Sequence, residues 1–252
     1  MIDFPATLHL FGKDILLHPI TETLGIFLGM RYYYFLKRKS KSKTDLKTSL
    51  AVLLGAIVGA LIGSKIIGNL ENPALLFSGN LTFQQFWTNN TIVGGLAFGL
   101  LGVELAKKVV GHKESTGDIM VFPLILAMIV GRIGCFFTGI YEQTYGIPTT
   151  FFLGMDLGDG LHRHPVAIYE IGFLILLWII LNRFKKNWTY PSGFLFQVFM
   201  LSYFSFRFLL DFIKPRNEIL LSLGAIQITC LLMIFYYIYK VNSAKPFINK
   251  RT

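Results

Sequence analysis

Residues 121–139 read VFPLILAMIVGRIGCFFTG. The first ten are apolar, enough with their neighbours to fill the hydrocarbon of a bilayer, which takes about 20 residues of helix. Arg132 follows directly, between Gly131 and Gly134. A guanidinium at that depth is costly and by default marks a functional site. The rest of the 252-residue chain has the same character. Apolar residues make up 53% and charged residues only 15%, against about 25% charged in ordinary soluble domains. Mean hydropathy is +0.56. These values describe an integral membrane protein and argue against a soluble enzyme.

Six further apolar stretches match the first in length. The expected spans are 19–37, 48–69, 91–110, 117–138, 165–184, 192–213 and 219–240, an all-α, polytopic fold of seven transmembrane helices. No tract between them has the composition of a linker, so residues 1–252 are expected to form a single integral-membrane domain. Lys and Arg set the orientation. Sixteen lie after spans 1, 3, 5 and 7, namely Lys37, Arg38, Lys39, Lys41, Lys43, Lys47, Lys107, Lys108, Lys113, Arg183, Lys185, Lys186, Lys240, Lys245, Lys250 and Arg251. Only Lys13, Arg163, Lys214 and Arg216 lie on the other side. The N-terminus is therefore expected outside and the C-terminus in the cytoplasm. The net charge of +10 then reads as a topology signal and as contact with anionic membrane lipids, with no nucleic acid partner. Residues 1–18 mix Asp3, Lys13 and Asp14 with apolar residues and do not read as a cleavable signal peptide.

Four basic residues fall inside the spans: Arg31, Lys65, Arg132 and Arg207. Arg31 is placed to snorkel toward the cytoplasmic headgroups. Lys65 lies near the outer end of its span. With the directions assigned, Arg132, Arg207 and Asp211 come to the outer half. So do Glu22, His164, Tyr169 and Glu170, and Gly94 and Gly95 open span 3 there. Arg207 and Asp211 share a helix face at i,i+4. Opposite charges from several spans at one depth point to an anion site, and two arginines suit a phosphodiester. Glu104 and Asp118 fall near the cytoplasmic ends, where headgroup contact accounts for them. Gly55, Gly59 and Gly63 form a small-residue stripe for helix packing. The loop at 139–164 is long enough to be a lid, and the aromatics of 70–90 suit an interfacial belt. Cys135 and Cys230 have no paired spacing, so no disulfide framework, metal site or cofactor is expected.

Several segments resemble one family, the prolipoprotein diacylglyceryl transferases. GRIGCFFTG followed by YGIPT is similar to that family's signature. RHPVAIYE at 163–170 resembles its HPSQLYE segment, and FRFLLDFIKP at 206–215 its terminal arginine, acidic and basic series. TIVGGLAFG at 91–99 resembles HGGLIG, and HPITETLGIFLGMRYY at 18–33 a divergent first span.

The resemblance implies transfer of diacylglycerol from phosphatidylglycerol to the lipobox cysteine thiol of a preprolipoprotein. The expected setting is the bacterial cytoplasmic (inner) membrane, with the site toward the outer leaflet. Arg132, Arg207, Asp211, His164 and Glu22 are the implied catalytic group. Gly131, Gly134, Gly146, Gly94, Gly95, Tyr169 and Glu170 are implied to line the substrate. Two positions depart from the pattern. Val93 stands where the family has the HGG histidine, and Cys135 where it has the asparagine of GRIGN. The base therefore falls among Glu22, His18 and His164, and Cys135 is expected to be a small buried apolar residue. Alternatives are a lipid-binding or accessory membrane protein and a related transferase with another acceptor. A transporter is disfavoured, because no internal repeat or broken helix is visible.

Overall fold

A computed structural model describes residues 4–10, 12–40, 45–244 and 248–250. Lys41, Lys43, Lys245 and Arg251, which count toward the charge asymmetry, lie outside the described residues. The long helices are α1 (Leu17–Lys39), α2 (Leu46–Leu70), α5 (Ile92–Val110), α6 (Val121–Thr138), α7 (Val166–Asn187), α8 (Phe194–Leu210) and α9 (Ala225–Ala244). Short helices α3 (Pro73–Phe77) and α4 (Phe83–Thr88) occupy the first long loop. Two-residue and four-residue strands pair as antiparallel hairpins, β1 (Thr7–Leu10) with β2 (Lys13–Leu16) and β3 (Met155–Asp156) with β4 (His162–Arg163). Strand β5 (Trp188–Thr189) pairs with β6 (Asn249–Lys250).

Among the described residues, five helical stretches are long and apolar enough to cross a membrane: Leu46–Leu70, Asp118–Tyr141, Val166–Asn187, Phe194–Ile213 and Ala225–Ala244. α1 and α5 are of comparable length but are not among them. α5 holds Glu104, Lys107 and Lys108 within its 19 residues, and α1 ends on Lys37, Arg38 and Lys39. Outward-facing Leu54, Ile57, Leu61 and Ile62 of α2 and Leu232, Phe235 and Tyr239 of α9 are exposed. That is the side-chain distribution of a protein whose solvent is lipid.

Packing follows the small residues. α2 lies along α5 and α1 along α6, the two most extensive helix pairs. A Cβ on Gly59 would overlap the carbonyl of Phe98, so only glycine permits that approach. The core is aromatic and aliphatic, centred on Phe199, Tyr203, Phe204, Leu174 and Ile125. α9 begins six residues later than the expected span 7. Residues 219–223, ILLSL, read as helix by hydropathy. In the fold Leu221 and Ser222 take positive φ (50° and 58°), and Leu220 bridges Leu223, so the apolar run closes a tight turn instead.

Asp118 differs from the expected headgroup contact. It accepts from the N–H of Gly193 at 2.7 Å and of Phe196 at 2.9 Å, capping α8 from the turn that precedes α6. Lys65 is also accounted for internally: its Nζ donates to the Trp87 carbonyl and lies 4.7 Å from the centre of the Trp87 ring. Lys107 is buried beside Glu104, 3.1 Å away. Arg31 is exposed.

Candidate functional site

Glu170 is the centre of the polar cluster. It lies one turn into α7 and is 1% exposed. Its Oε2 is 2.9 Å from Arg132 Nε and 3.4 Å from Arg207 Nη1. Tyr203 Oη donates to its Oε1 at 2.8 Å. Arg207 Nη2 also lies 3.8 Å from Asp211 Oδ1, a looser ion pair within α8 and the turn that follows it. Three helices, α6, α7 and α8, thus bring two arginines onto one carboxylate. Both arginines are buried, Arg132 at 9% and Arg207 at 4% exposed. Buried charges are tolerated only when paired and hydrogen-bonded, and Glu170 supplies that pairing for both. Among the described residues, Arg207 Nε and Asp211 Oδ2 make no hydrogen bond.

The loop 139–164 is tied to this cluster by backbone. Ile147 N donates to Ile213 O at 2.9 Å, and Gly146 N to His164 O at 3.0 Å. A Cβ on Gly146 would overlap His164, so the glycine lets the loop close against the start of α7. The β3–β4 hairpin is braced by Asp159, whose Oδ2 takes Arg163 Nε and Nη2 at 2.8 and 2.7 Å. Asp156 caps the turn by accepting from the N–H groups of Gly158, Asp159 and Gly160. His164 Nδ1 lies 3.1 Å from Tyr169 Oη, and the His164 ring lines an open cleft with Ile147, Pro148, Thr149, Leu161 and His162. Lys214 follows the cluster and is half-buried. Burial, and then the Arg207 charge, pull its ammonium down to about 8.

Of the residues singled out by sequence, Arg132, Arg207, Asp211 and Glu170 converge, with His164 and Tyr169 paired on the loop side. Glu22 is exposed on α1 and does not join them; its charge acts on Lys65. Gly94 lies against Gly63 of α2, and Gly95 makes only loose contact with that helix, so both belong to the α2–α5 packing. Gly131 has open space around its α-carbon. Gly134 is pressed against α1, where a Cβ would overlap Thr21 and the His18 backbone. Val93 is buried in the core at 1% exposure.

Tyr203 carried no sequence signal, because a tyrosine within FLFQVFMLSYFSFRFLL reads as one more core aromatic. A second cluster was equally hidden. His18, Cys135 and Glu142 bring side-chain donor atoms within 4.8 Å of one another, and no spacing in the sequence connects positions 18, 135 and 142.

Long apolar helices around a buried arginine pair on a shared carboxylate describe a multi-pass membrane protein with an internal ion-pair cluster. The family profile described as prolipoprotein diacylglyceryl transferase matches residues 5–241. The chain belongs to that family of membrane transferases.

Among its relatives, the phosphatidylglycerol–prolipoprotein diacylglyceryl transferase of Bordetella parapertussis is 31% identical over 163 residues, 61% of this chain and 59% of that protein. The protein of the same name from Nitratidesulfovibrio vulgaris is 30% identical over 186 residues, 66% and 62% of the two chains. That from Cupriavidus metallidurans is 33% identical over 138 residues, half of each. The matched segments thus span about half to three fifths of the length of these relatives.

Proposed function

We propose that the protein transfers a diacylglyceryl group from phosphatidylglycerol to the thiol of a lipobox cysteine in a preprolipoprotein. The observation that carries the reading is the Arg132–Glu170–Arg207 arrangement. Two permanently charged, forked donors held on one carboxylate present a preorganised seat for a phosphodiester. The acceptor sulfur attacks the glyceryl carbon joined to phosphate. The S–C bond forms, the C–O bond to phosphorus breaks, and glycerol phosphate leaves. The arginines offset the charge that develops on the departing phosphate, electrostatic stabilisation that is strongest in a site closed to water. Glu170 fixes both guanidiniums and Asp211 steadies Arg207. His164 takes the acceptor's thiol proton, its other ring nitrogen held by Tyr169. Gly146 lets the loop close over this corner, and Gly131 leaves open space beside Arg132.

The same reading takes the chain to be seven-spanning, with the N-terminus outside the bacterial cytoplasmic membrane and the site facing the outer leaflet. Phosphatidylglycerol, membrane lipids and the preprolipoprotein are its partners. A second reading is a lipid-binding protein that has lost transfer, and buried Val93 in place of a histidine favours it. The test is purified protein with labelled phosphatidylglycerol and a lipobox peptide. Lipidated peptide is expected from the wild type and none from Arg132→Ala or Arg207→Ala. Full activity in both variants overturns the proposal. Retention of the lipid without any product supports the second reading.

A further inference from the structure

Cys135 has surroundings that the proposed transfer does not use. It lies on α6 one turn beyond Arg132 and is 7% exposed. Its Sγ is 3.6 Å from His18 Nε2, and His18 Nδ1 is 2.5 Å from Glu142 Oε1. Arg132 Nη1 donates to the same sulfur at 3.4 Å. Three separate segments build this contact. Gly134 lets α1 approach α6 closely enough to set His18 beside the thiol. The turn Gly139–Tyr141, opened by Gly139 at φ 61°, leads Glu142 to the far side of the imidazole. Thr144 Oγ1 then donates to the Cys135 carbonyl at 3.4 Å.

The chemistry of the line is specific. A carboxylate on Nδ1 keeps the proton there and turns the Nε2 lone pair toward the sulfur. A thiol, a base beside it and a third group orienting the base form the activated-nucleophile arrangement. The same three residues carry metal-ligand atoms, but the neighbouring charge opposes an ion. The Arg132 cation beside the sulfur repels a dication while favouring a thiolate. Cys230, the other free cysteine, is buried within the apolar core.

We propose that Cys135 is a nucleophilic cysteine, with His18 as its base and Glu142 as a positioning residue, that takes an acyl group from a glycerolipid ester. A small void beside the sulfur is lined by Phe136, Leu157, Val166 and Ala167, with Thr144 and Tyr145 completing its wall, and it has to widen to admit an acyl chain. His18 Nε2 takes the thiol proton, and the sulfur attacks the ester carbonyl. The S–C bond forms, the ester C–O bond breaks, and His18 returns its proton to the departing glyceryl oxygen. The product is a thioester on Cys135 and a lysolipid. Water or an amine then attacks the thioester carbonyl, His18 takes that proton, and the sulfur leaves and is reprotonated. Attack by Cys135 on a glyceryl carbon is the poorer alternative, because the thioether it forms has no route onward.

The activity shares Arg132 with the transfer proposed above but does not rest on it, so the test leaves Arg132 intact. Purified full-length protein is incubated with dipalmitoyl phosphatidylglycerol and examined by peptide mass spectrometry before and after hydroxylamine. The expected result is a hydroxylamine-labile palmitoyl mass on Cys135 and none on Cys230. It should be absent in Cys135→Ala and form roughly a hundredfold more slowly in His18→Gln, the scale of a lost general base. Because a short-lived thioester can escape detection, the iodoacetamide alkylation rates of Cys135 and Cys230 are compared as well. Cys135 is expected to react faster, with the advantage reduced in His18→Gln and Glu142→Gln. A hydroxylamine-stable diacylglyceryl mass on Cys135 overturns the proposal. So does the absence of an acyl mass together with alkylation no faster than at Cys230. Lipidation of a lipobox peptide by the wild type is scored separately and bears only on the transfer reaction.

Discussion

Glu170 illustrates what a single residue does in this molecule. Its carboxylate lies within 3.4 Å of nitrogens on two arginines that are otherwise like charges in a low-dielectric interior. Removing one partner of a buried pair costs about 3–5 kcal/mol, because the other charge is stranded. Glu170→Ala is expected to lower thermal stability in detergent by that order, and Glu170→Gln by less, since it keeps the shape and one acceptor. Equal unfolding temperatures for Glu170→Ala and wild type would contradict this. Lys214 gives a pH-dependent prediction. Its folded value of about 8 lies below the ordinary 10.5, so the fold prefers the neutral amine. The destabilising contribution is full below about pH 8, shrinks as pH rises toward 10.5, and vanishes above it. Lys214→Met is therefore expected to stabilise the protein most below pH 8, with the gain lost above pH 10.5, as read by thermal unfolding across that range. Arg132 and Arg207 were legible in the sequence, because a guanidinium within an apolar span stands out. Glu170 was legible as one of the carboxylates gathered at the same depth to hold them, but that both converge on it was not, since two arginines 75 positions apart give no sign of sharing a partner. His18 was visible as a candidate base, but its pairing with Glu142 depends on a turn that only the fold supplies.

At the scale of elements, most helices could be placed from hydropathy. Where that failed the reason was local. The ILLSL run at 219–223 has helical hydropathy but residues in left-handed conformation, which periodicity does not register. Loop 139–164 reads as irregular and yet holds a hairpin pinned by short carboxylates, Asp156 on three backbone amides and Asp159 on Arg163. The cap on α8 is supplied from outside the helix. Asp118 satisfies two of the orphan N–H groups at its start, a link across 75 residues of chain that a search for Ser, Thr, Asp or Asn directly before the helix misses. Asp118→Ala is expected to cost about 1–2 kcal/mol. Hydrogen exchange should show faster exchange confined to the first turn of α8. Unchanged protection of the Gly193 and Phe196 amides would show that the cap is not needed.

In the whole molecule, a lipid-facing exterior encloses an interior that gathers charge from α6, α7 and α8. The exterior follows from composition. The interior follows from the packing of α6, α7 and α8, which brings Arg132 and Arg207 onto Glu170. In the proposed function an anionic glycerolipid occupies the arginine cradle. The measurement that tests this most directly is release of labelled glycerol phosphate from headgroup-labelled phosphatidylglycerol in the presence of a lipobox peptide. Wild type is expected to release it in step with peptide lipidation, and Arg207→Ala to be slower by about 100–1,000-fold, the scale of a lost donor to developing charge. Release at the wild-type rate in Arg207→Ala would contradict the account.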